Sequence, residues 1–122
     1  ILEKGLADAL ERAEAYVAAG ADGIMIHSRR KEPAEVFAFA DAFRAKHPAV
    51  PLVAVPTSYC AVTEAELQSH GINIVIYANQ LTRSAFPAME RTAKSILQHH
   101  RALEADAGLM PFKEIIRLID EL

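Results

Sequence analysis

The chain has 122 residues, of which 52% are apolar and 24% charged, with a formal net charge of −3 and a single cysteine. This composition excludes a disordered chain, a membrane-spanning helix and an internal disulfide bond. The mildly acidic balance argues against nucleic acid or an anionic membrane as the main partner. One cysteine is typical of a reducing compartment, so we expect a cytoplasmic protein. The first residue is Ile1 rather than Met, which suggests part of a longer polypeptide.

The first two predicted repeats each pair a helix with a strand. Apolar residues at helical spacing predict a helix over residues 6–19, which Gly20 ends. The apolar run at residues 22–26 does not alternate with polar residues, and such a run is typical of a strand buried on both faces. The pattern repeats with a helix over residues 33–47 and a strand over residues 51–55.

The third repeat begins at a capping box, in which Thr63 is followed three residues later by Glu66. This signal predicts a short helix that runs to Ser69. A third strand is predicted over residues 72–77, and a long helix over residues 82–101.

Beyond this long helix, residues 105–109 are predicted as a loop, and Pro111 is predicted to start a last helix that ends at Leu122. We therefore expect two parts in the chain. Residues 1–110 would hold three β/α units, and residues 111–122 would form a separate C-terminal helix.

The alternation of helices and strands predicts an α/β fold with parallel strands and right-handed crossovers. Two architectures fit this order, an open doubly wound sheet and a segment of a (β/α)8 barrel. No Gly-rich phosphate loop follows a strand, which disfavours the open nucleotide-binding sheet. Because three strands alone leave exposed edges, we expect these three strands and their helices to be the C-terminal part of a barrel of about 250 residues. A compact three-stranded domain remains the alternative.

Candidate site residues follow the strands, because parallel α/β folds bind ligands at the C-terminal ends of their strands. His27 and Ser28 follow the first strand, and the cations Arg29, Arg30 and Lys31 come next. Protonated imidazole and guanidinium groups both favour phosphate or carboxylate. The pattern therefore predicts an anion site centred on His27. The alternative is a hydrogen-bonded core histidine beside a solvated loop of cations.

The other two strands are also followed by polar residues. Core packing with the hydroxyl at the rim is the expected role of Tyr59 and Tyr77, and capping of the next helix is expected for Asn79. Thr57 offers a further hydroxyl. No acid–base triad can be built around Cys60, so we expect it to be a small buried apolar residue. Neither a pair of strand-end carboxylates for Mg²⁺ nor a zinc cluster is evident, so metal ligands are not expected in this chain.

Several short segments, in their order and spacing, resemble the C-terminal half of the phosphoenolpyruvate mutase family, within the isocitrate lyase superfamily. The likeness covers essentially the whole chain and rests on Ala9–Tyr16, Ala19–Ser28, Val55–Tyr59, Gly71–Asn79 with Arg83, and Phe112–Leu118. The chain departs from the family at two positions. The family often has His where this chain has Gln80, and often Tyr where this chain has Cys60.

The resemblance implies the last three strands of a (β/α)8 barrel that interconverts phosphoenolpyruvate and phosphonopyruvate in phosphonate biosynthesis. It implies that His27 is the catalytic residue that holds the phosphoryl group, and that Ser28 is a second substrate-binding residue. It also implies a Mg²⁺ cofactor whose ligands, together with a phosphoryl-binding arginine, lie outside this chain. The expected partners are a phosphorylated or phosphono 2-oxo acid and further copies of the protein, which exchange residues 111–122, but neither nucleic acid nor membrane.

Other functions remain open from the sequence. Phosphonopyruvate hydrolase and a C–C lyase of the methylisocitrate lyase type share the scaffold that the resemblance implies. The chain by itself is expected to be inactive and to act as a structural or assembly piece. An autonomous small α/β binding module is a further alternative.

Overall fold

The computed structural model describes the backbone of residues 1–120 and the side chains of residues 1–118. The chain divides into two compact units, Ile1–Ala78 and a second unit that begins at Asn79. The two units are described separately below.

The first unit alternates three helices with three short strands, as the sequence predicts. In chain order these are α1 (Gly5–Ala18), β1 (Ile24–Ile26), α2 (Ala34–Lys46), β2 (Leu52–Ala54), α3 (Glu64–Ser69) and β3 (Ile74–Val75). Each strand is shorter than its apolar run, because only two or three residues of each run find backbone partners on a neighbouring strand.

All the strand pairs of this sheet are parallel, and the strand order is β1-β2-β3. The register places Met25 beside Val53, and Val53 beside Ile74. Helices cross over between successive parallel strands, so the α/β class and the small parallel sheet are confirmed.

Only one face of the sheet is buried. Ile26 and Leu52 point into the core, where they join Phe39 and Phe43 of α2. The opposite face carries the row Met25, Val53 and Ile74, which we call the open face. Met25 is 58% exposed and Ile74 is 49% exposed. The prediction of strands buried on both faces is therefore wrong for the described residues, although the open face has an apolar composition suited to burial.

The predicted capping box begins α3 and is confirmed. The Glu66 backbone N–H donates to the Thr63 hydroxyl at 3.2 Å, and the Glu66 carboxylate accepts from the Thr63 backbone N–H at 2.7 Å. These reciprocal hydrogen bonds use backbone donors that a helix start otherwise leaves without partners. They lower the pKa of Glu66, chiefly through the backbone N–H of Thr63.

The second unit contains α4 (Gln80–His99), α5 (Leu103–Asp106) and α6 (Phe112–Asp120). His100 ends α4 in a left-handed conformation with φ of 53°. The loop predicted at residues 105–109 is partly wrong, because α5 includes the first two of those residues. Within the described part of the chain, the helices are too short or too polar to cross a membrane.

The predicted division between residues 110 and 111 stays a prediction, as does the exchange of the last helix between subunits. The predicted end of that helix at Leu122 lies outside the described residues.

Candidate anion site at the end of β1

His27 directly follows β1, at the C-terminal end of the sheet. Exposure alternates along this part of the chain, with Met25 exposed, Ile26 buried, His27 partly exposed and Ser28 buried. Successive side chains of an extended strand point to opposite faces. His27 therefore lies on the same side of the sheet as the open face, whereas Ser28 lies on the helix-covered side.

The His27 imidazole has an unsatisfied nitrogen. Its Nδ1 atom is buried and has no hydrogen-bond partner among the described residues. Buried polar atoms are hydrogen-bonded in the great majority of cases, and an exception requires an explanation. The alternative of a hydrogen-bonded core histidine does not match this environment. The role of His27 in binding and catalysis stays a prediction.

The Ser28 hydroxyl is fully engaged inside the protein. Ser28 is 0% exposed, and its Oγ donates a hydrogen bond to Oε1 of Glu35. The same Oγ accepts from the backbone N–H of Arg30 at 3.0 Å, and the Arg30 Nε lies 3.1 Å from Oε2 of Glu35. We call these three residues the Ser28–Glu35–Arg30 clamp. Substrate contact by Ser28 stays a prediction, and the contacts present are internal.

Sequence reasoning missed Glu35. The signal that points to it is an acidic residue in the first turn of α2, two residues after Pro33, the residue at the N-cap of the helix. A helix N-terminus favours a negative charge. All three predicted cations are exposed, and of these Arg30 is paired with a carboxylate.

The residues that follow β2 differ in burial. Tyr59 is 1% exposed, so the predicted core packing is confirmed, but its hydroxyl is buried and not at the rim as predicted. Burial raises its pKa, and its hydroxyl has no partner at normal hydrogen-bonding distance among the described residues. Thr57 is half-buried, and its backbone N–H bonds to the carbonyl of Val55 at 2.8 Å. Cys60 is an exposed free thiol, so the prediction of a buried apolar cysteine is wrong.

Tyr77 follows β3 and contacts α3. Its hydroxyl donates to Oε1 of Glu64 at 2.9 Å, and this hydrogen bond to a carboxylate raises the tyrosine pKa. Tyr77 is 56% exposed, so the predicted core packing is wrong for this residue. In the second unit, Asn79 lies at the N-cap of α4 but makes no side-chain capping bond, and its buried Oδ1 has no partner among the described residues. The predicted cap is therefore absent.

A cavity of about 540 Å³ borders β1 and includes His27. Met25 and the α1 residues Ala13 and Tyr16 are among its lining residues. Since β1 is an edge of the sheet in the described residues, this cavity borders a strand that is paired on one side only.

Known proteins of one family are similar to this chain. The family model described as phosphoenolpyruvate phosphomutase matches residues 1–97. The chain belongs to the phosphoenolpyruvate phosphomutase family. The phosphoenolpyruvate phosphomutase of Tetrahymena pyriformis is 38% identical over 117 residues, which cover 96% of this chain and 38% of that protein. The phosphonopyruvate hydrolase of Variovorax sp. (strain Pal2) is 43% identical over 115 residues, which cover 93% of this chain and 39% of that protein.

Solved structures of this family share the fold. The crystal structure of a phosphoenolpyruvate phosphomutase from Streptomyces platensis subsp. rosaceus matches 96% of this chain and 40% of its own, with a TM-score of 0.85 and 35% identity. A phosphonopyruvate hydrolase in complex with oxalate and Mg²⁺ matches 96% of this chain and 41% of its own, with a TM-score of 0.81 and 42% identity. The chain thus spans about two fifths of the length of the relatives it matches.

The described residues of this chain do not fit a Mg²⁺ site. They contain no group of three or more His, Cys, Asp or Glu side chains that could hold a metal ion. Glu35 and Glu64, which lie near the ends of the strands, are engaged by Ser28 and Tyr77.

Proposed function

We propose that this chain is the C-terminal part of a (β/α)8 barrel that interconverts phosphoenolpyruvate and phosphonopyruvate. The observation that carries the proposal is the position of His27, on the open side of the sheet at the C-terminal end of β1, with a buried Nδ1 that lacks a partner. In barrels, this end of the strands carries the active site.

The barrel is supported by the open face and by the unpaired edge of β1. In a (β/α)8 barrel, inward-pointing side chains form buried layers, and helices cover the outside. The row Met25, Val53 and Ile74 is apolar and lies on the face that the helices do not cover, as inward-pointing barrel residues do. The family relatives are also about two and a half times as long as the matched segment, which leaves chain for the remaining strands.

In the proposed reaction the phosphoryl group moves between the enolate oxygen and the methylene carbon of the pyruvyl unit. The P–O bond breaks and the P–C bond forms, or the reverse. Such transfers are catalysed mainly by positioning and by stabilisation of charge on the phosphoryl oxygens. The His27 ring supplies an N–H hydrogen bond to one of these oxygens and transfers no proton in the step.

Phosphonopyruvate hydrolase is the second candidate, because a relative of that name is 43% identical to this chain. In that reaction the phosphoryl group is transferred to water instead of to the enolate oxygen. His27 would bind the same phosphoryl oxygens in both reactions. The described residues therefore support the site common to both activities.

Phosphorus NMR of the complete barrel protein, incubated with phosphonopyruvate and Mg²⁺, separates the two candidates. Formation of phosphoenolpyruvate supports the mutase, and formation of inorganic phosphate with pyruvate supports the hydrolase. Absence of both products contradicts both. Dependence on Mg²⁺, assembly into a homo-oligomer and a cytoplasmic location stay predictions.

A further inference from the structure

We infer that Glu35 is a positioning residue for the phosphoryl site, because it fixes the chain that carries His27. This inference rests on the proposed function and assigns a role to a residue that the comparison with relatives leaves without one.

The Ser28–Glu35–Arg30 clamp is a closed ring of contacts. One carboxylate oxygen of Glu35 accepts from the Ser28 hydroxyl, and the other lies 3.1 Å from the Arg30 Nε. The ring is completed by the 3.0 Å hydrogen bond from the Arg30 backbone N–H to the Ser28 Oγ. Ser28 thus donates one hydrogen bond and accepts another in a fully buried position, which leaves a single orientation of its side chain.

The clamp is held by α2, a helix that packs closely into the core. Glu35 lies in the first turn of α2, where the helix N-terminus favours its negative charge. The same helix packs Val36, Phe39 and Phe43 into the core at 0–1% exposure. Displacement of Glu35 would therefore require movement of a closely packed helix.

The orientation of His27 depends on this clamp, because its buried Nδ1 has no hydrogen bond among the described residues that would fix the imidazole. In most functional histidines a hydrogen bond to one ring nitrogen sets the direction of the other. The Nδ1 atom of His27 has no such partner among the described residues. The position of the imidazole is consequently set by its backbone, which continues directly into the buried Ser28. Catalysis is sensitive to displacements of about 1 Å, so the clamp affects rate without a contact to substrate.

The test uses steady-state kinetics of the complete barrel protein with phosphonopyruvate, with a Glu35→Ala variant. We expect kcat to fall by about 10- to 100-fold, with a smaller change in KM, since the phosphoryl oxygens lose a positioned donor. Glu35→Gln keeps an oxygen acceptor for Ser28, so it should recover part of the lost rate. Glu32→Gln removes the same charge from the loop that precedes α2, outside the clamp, and should leave kcat unchanged.

The decisive measurement is a double-mutant cycle with His27→Ala. If Glu35 acts through His27, Glu35→Ala causes little further loss of rate in the His27→Ala background. The inference is overturned if the losses of rate from Glu35→Ala and His27→Ala add fully, or if Glu35→Ala keeps the wild-type kcat. In either case activity of the wild-type protein still supports the proposed function. If Glu35→Ala fails to fold, Ser28→Ala replaces it in the same cycle. Little further loss of rate in the His27→Ala background again supports the inference, and full additivity contradicts it. An inactive wild-type protein contradicts the proposed function itself.

Discussion

The guanidinium of Arg44 donates two hydrogen bonds to the carbonyl oxygen of Gly71, from Nε at 2.8 Å and from Nη2 at 2.6 Å. Its Nη1 donates to the carbonyls of Pro48 and Val50 at 2.9 and 2.8 Å. One side chain near the end of α2 therefore ties together the segments that precede β2 and β3. These contacts lie at the N-terminal ends of the strands, opposite the proposed site, where residues of barrel folds serve stability.

Arg44→Ala should lower the free energy of unfolding of the complete protein by about 2–4 kcal/mol, because hydrogen bonds to charged groups contribute about 1.5–3 kcal/mol and their loss leaves carbonyls unpaired. Arg44→Lys should recover only part of this, since a lysine lacks the planar fork that spans several carbonyls. Urea unfolding measures both variants. A loss below about 0.5 kcal/mol for Arg44→Ala, within the range of ordinary surface substitutions, would contradict this assignment.

Gly71→Ala tests the same contact from the other side. Gly71 has φ of +78°, and an added Cβ would lie 2.8 Å from both Cγ and Nε of Arg44. We expect a loss of about 1–3 kcal/mol from the unfavourable backbone conformation alone, and more from the clash. In an Arg44→Ala background the clash disappears, so the combined loss measured by urea unfolding should be less than the sum of the two. Strict additivity would show that the side chain of Arg44 does not approach Gly71.

His27→Ala should slow turnover of the complete protein by roughly 10- to 150-fold, which corresponds to the loss of a charge-assisted contact of about 1.5–3 kcal/mol. Thermal unfolding should change little, because the ring lies on the open side of the sheet and its Nδ1 makes no internal hydrogen bond. Wild-type turnover of this variant would remove His27 from the site.

Much of the fold could be predicted from the sequence, because the signals are local. The capping box is formed by Thr63 and Glu66, which lie within four residues of each other, and the structure contains it as predicted. The burial of the strands could not be predicted in the same way. Met25 and Ile74 are apolar and therefore suited to burial in a core. Their sequence does not tell whether the described residues include a segment that covers them, and in the structure both side chains are exposed.

The candidate site was predictable in position but not in its internal contacts. The rule that ligands bind at strand ends locates His27 without any knowledge of its neighbours. The partner of Ser28 was missed because Glu35 is seven residues away, across a loop whose path the sequence does not specify. For the same reason the contact between Tyr77 and Glu64, which are 13 residues apart, was not anticipated.

Glu14 should make the stability of the protein depend on pH in the acidic range. Its carboxylate accepts from the His47 Nε2 at 2.8 Å and pairs with the Lys46 Nζ at 3.0 Å. The hydrogen bond from His47, and then that from Lys46, lower the pKa of Glu14 below its ordinary value of 4.5. On acidification the unfolded chain takes up this proton first. The stabilisation is therefore fully present above pH 4.5 and is lost as the pH falls through the lower pKa of the folded protein.

The check is the urea midpoint of the complete protein, measured at intervals from about pH 6 to about pH 3. Glu14→Gln should flatten the fall in stability below the ordinary carboxylate pKa. Glu11→Gln, on the same helix, serves as the control and should keep the wild-type slope. If the Glu14→Gln and wild-type slopes coincide, Glu14 does not couple folding to pH.

The open face should govern the behaviour of the 122 residues when they are produced alone. Met25 and Ile74 expose apolar surface in one row of the sheet, and contiguous exposed apolar surface promotes association. We expect the isolated chain to self-associate in sedimentation experiments and to show no turnover of phosphonopyruvate. Met25→Lys should reduce this association, whereas Tyr16→Lys, which changes an exposed aromatic residue on α1, should not. A monomeric wild-type chain with a cooperative thermal transition would instead favour an autonomous α/β domain, because such a chain would not need the remaining strands of a barrel to cover this face.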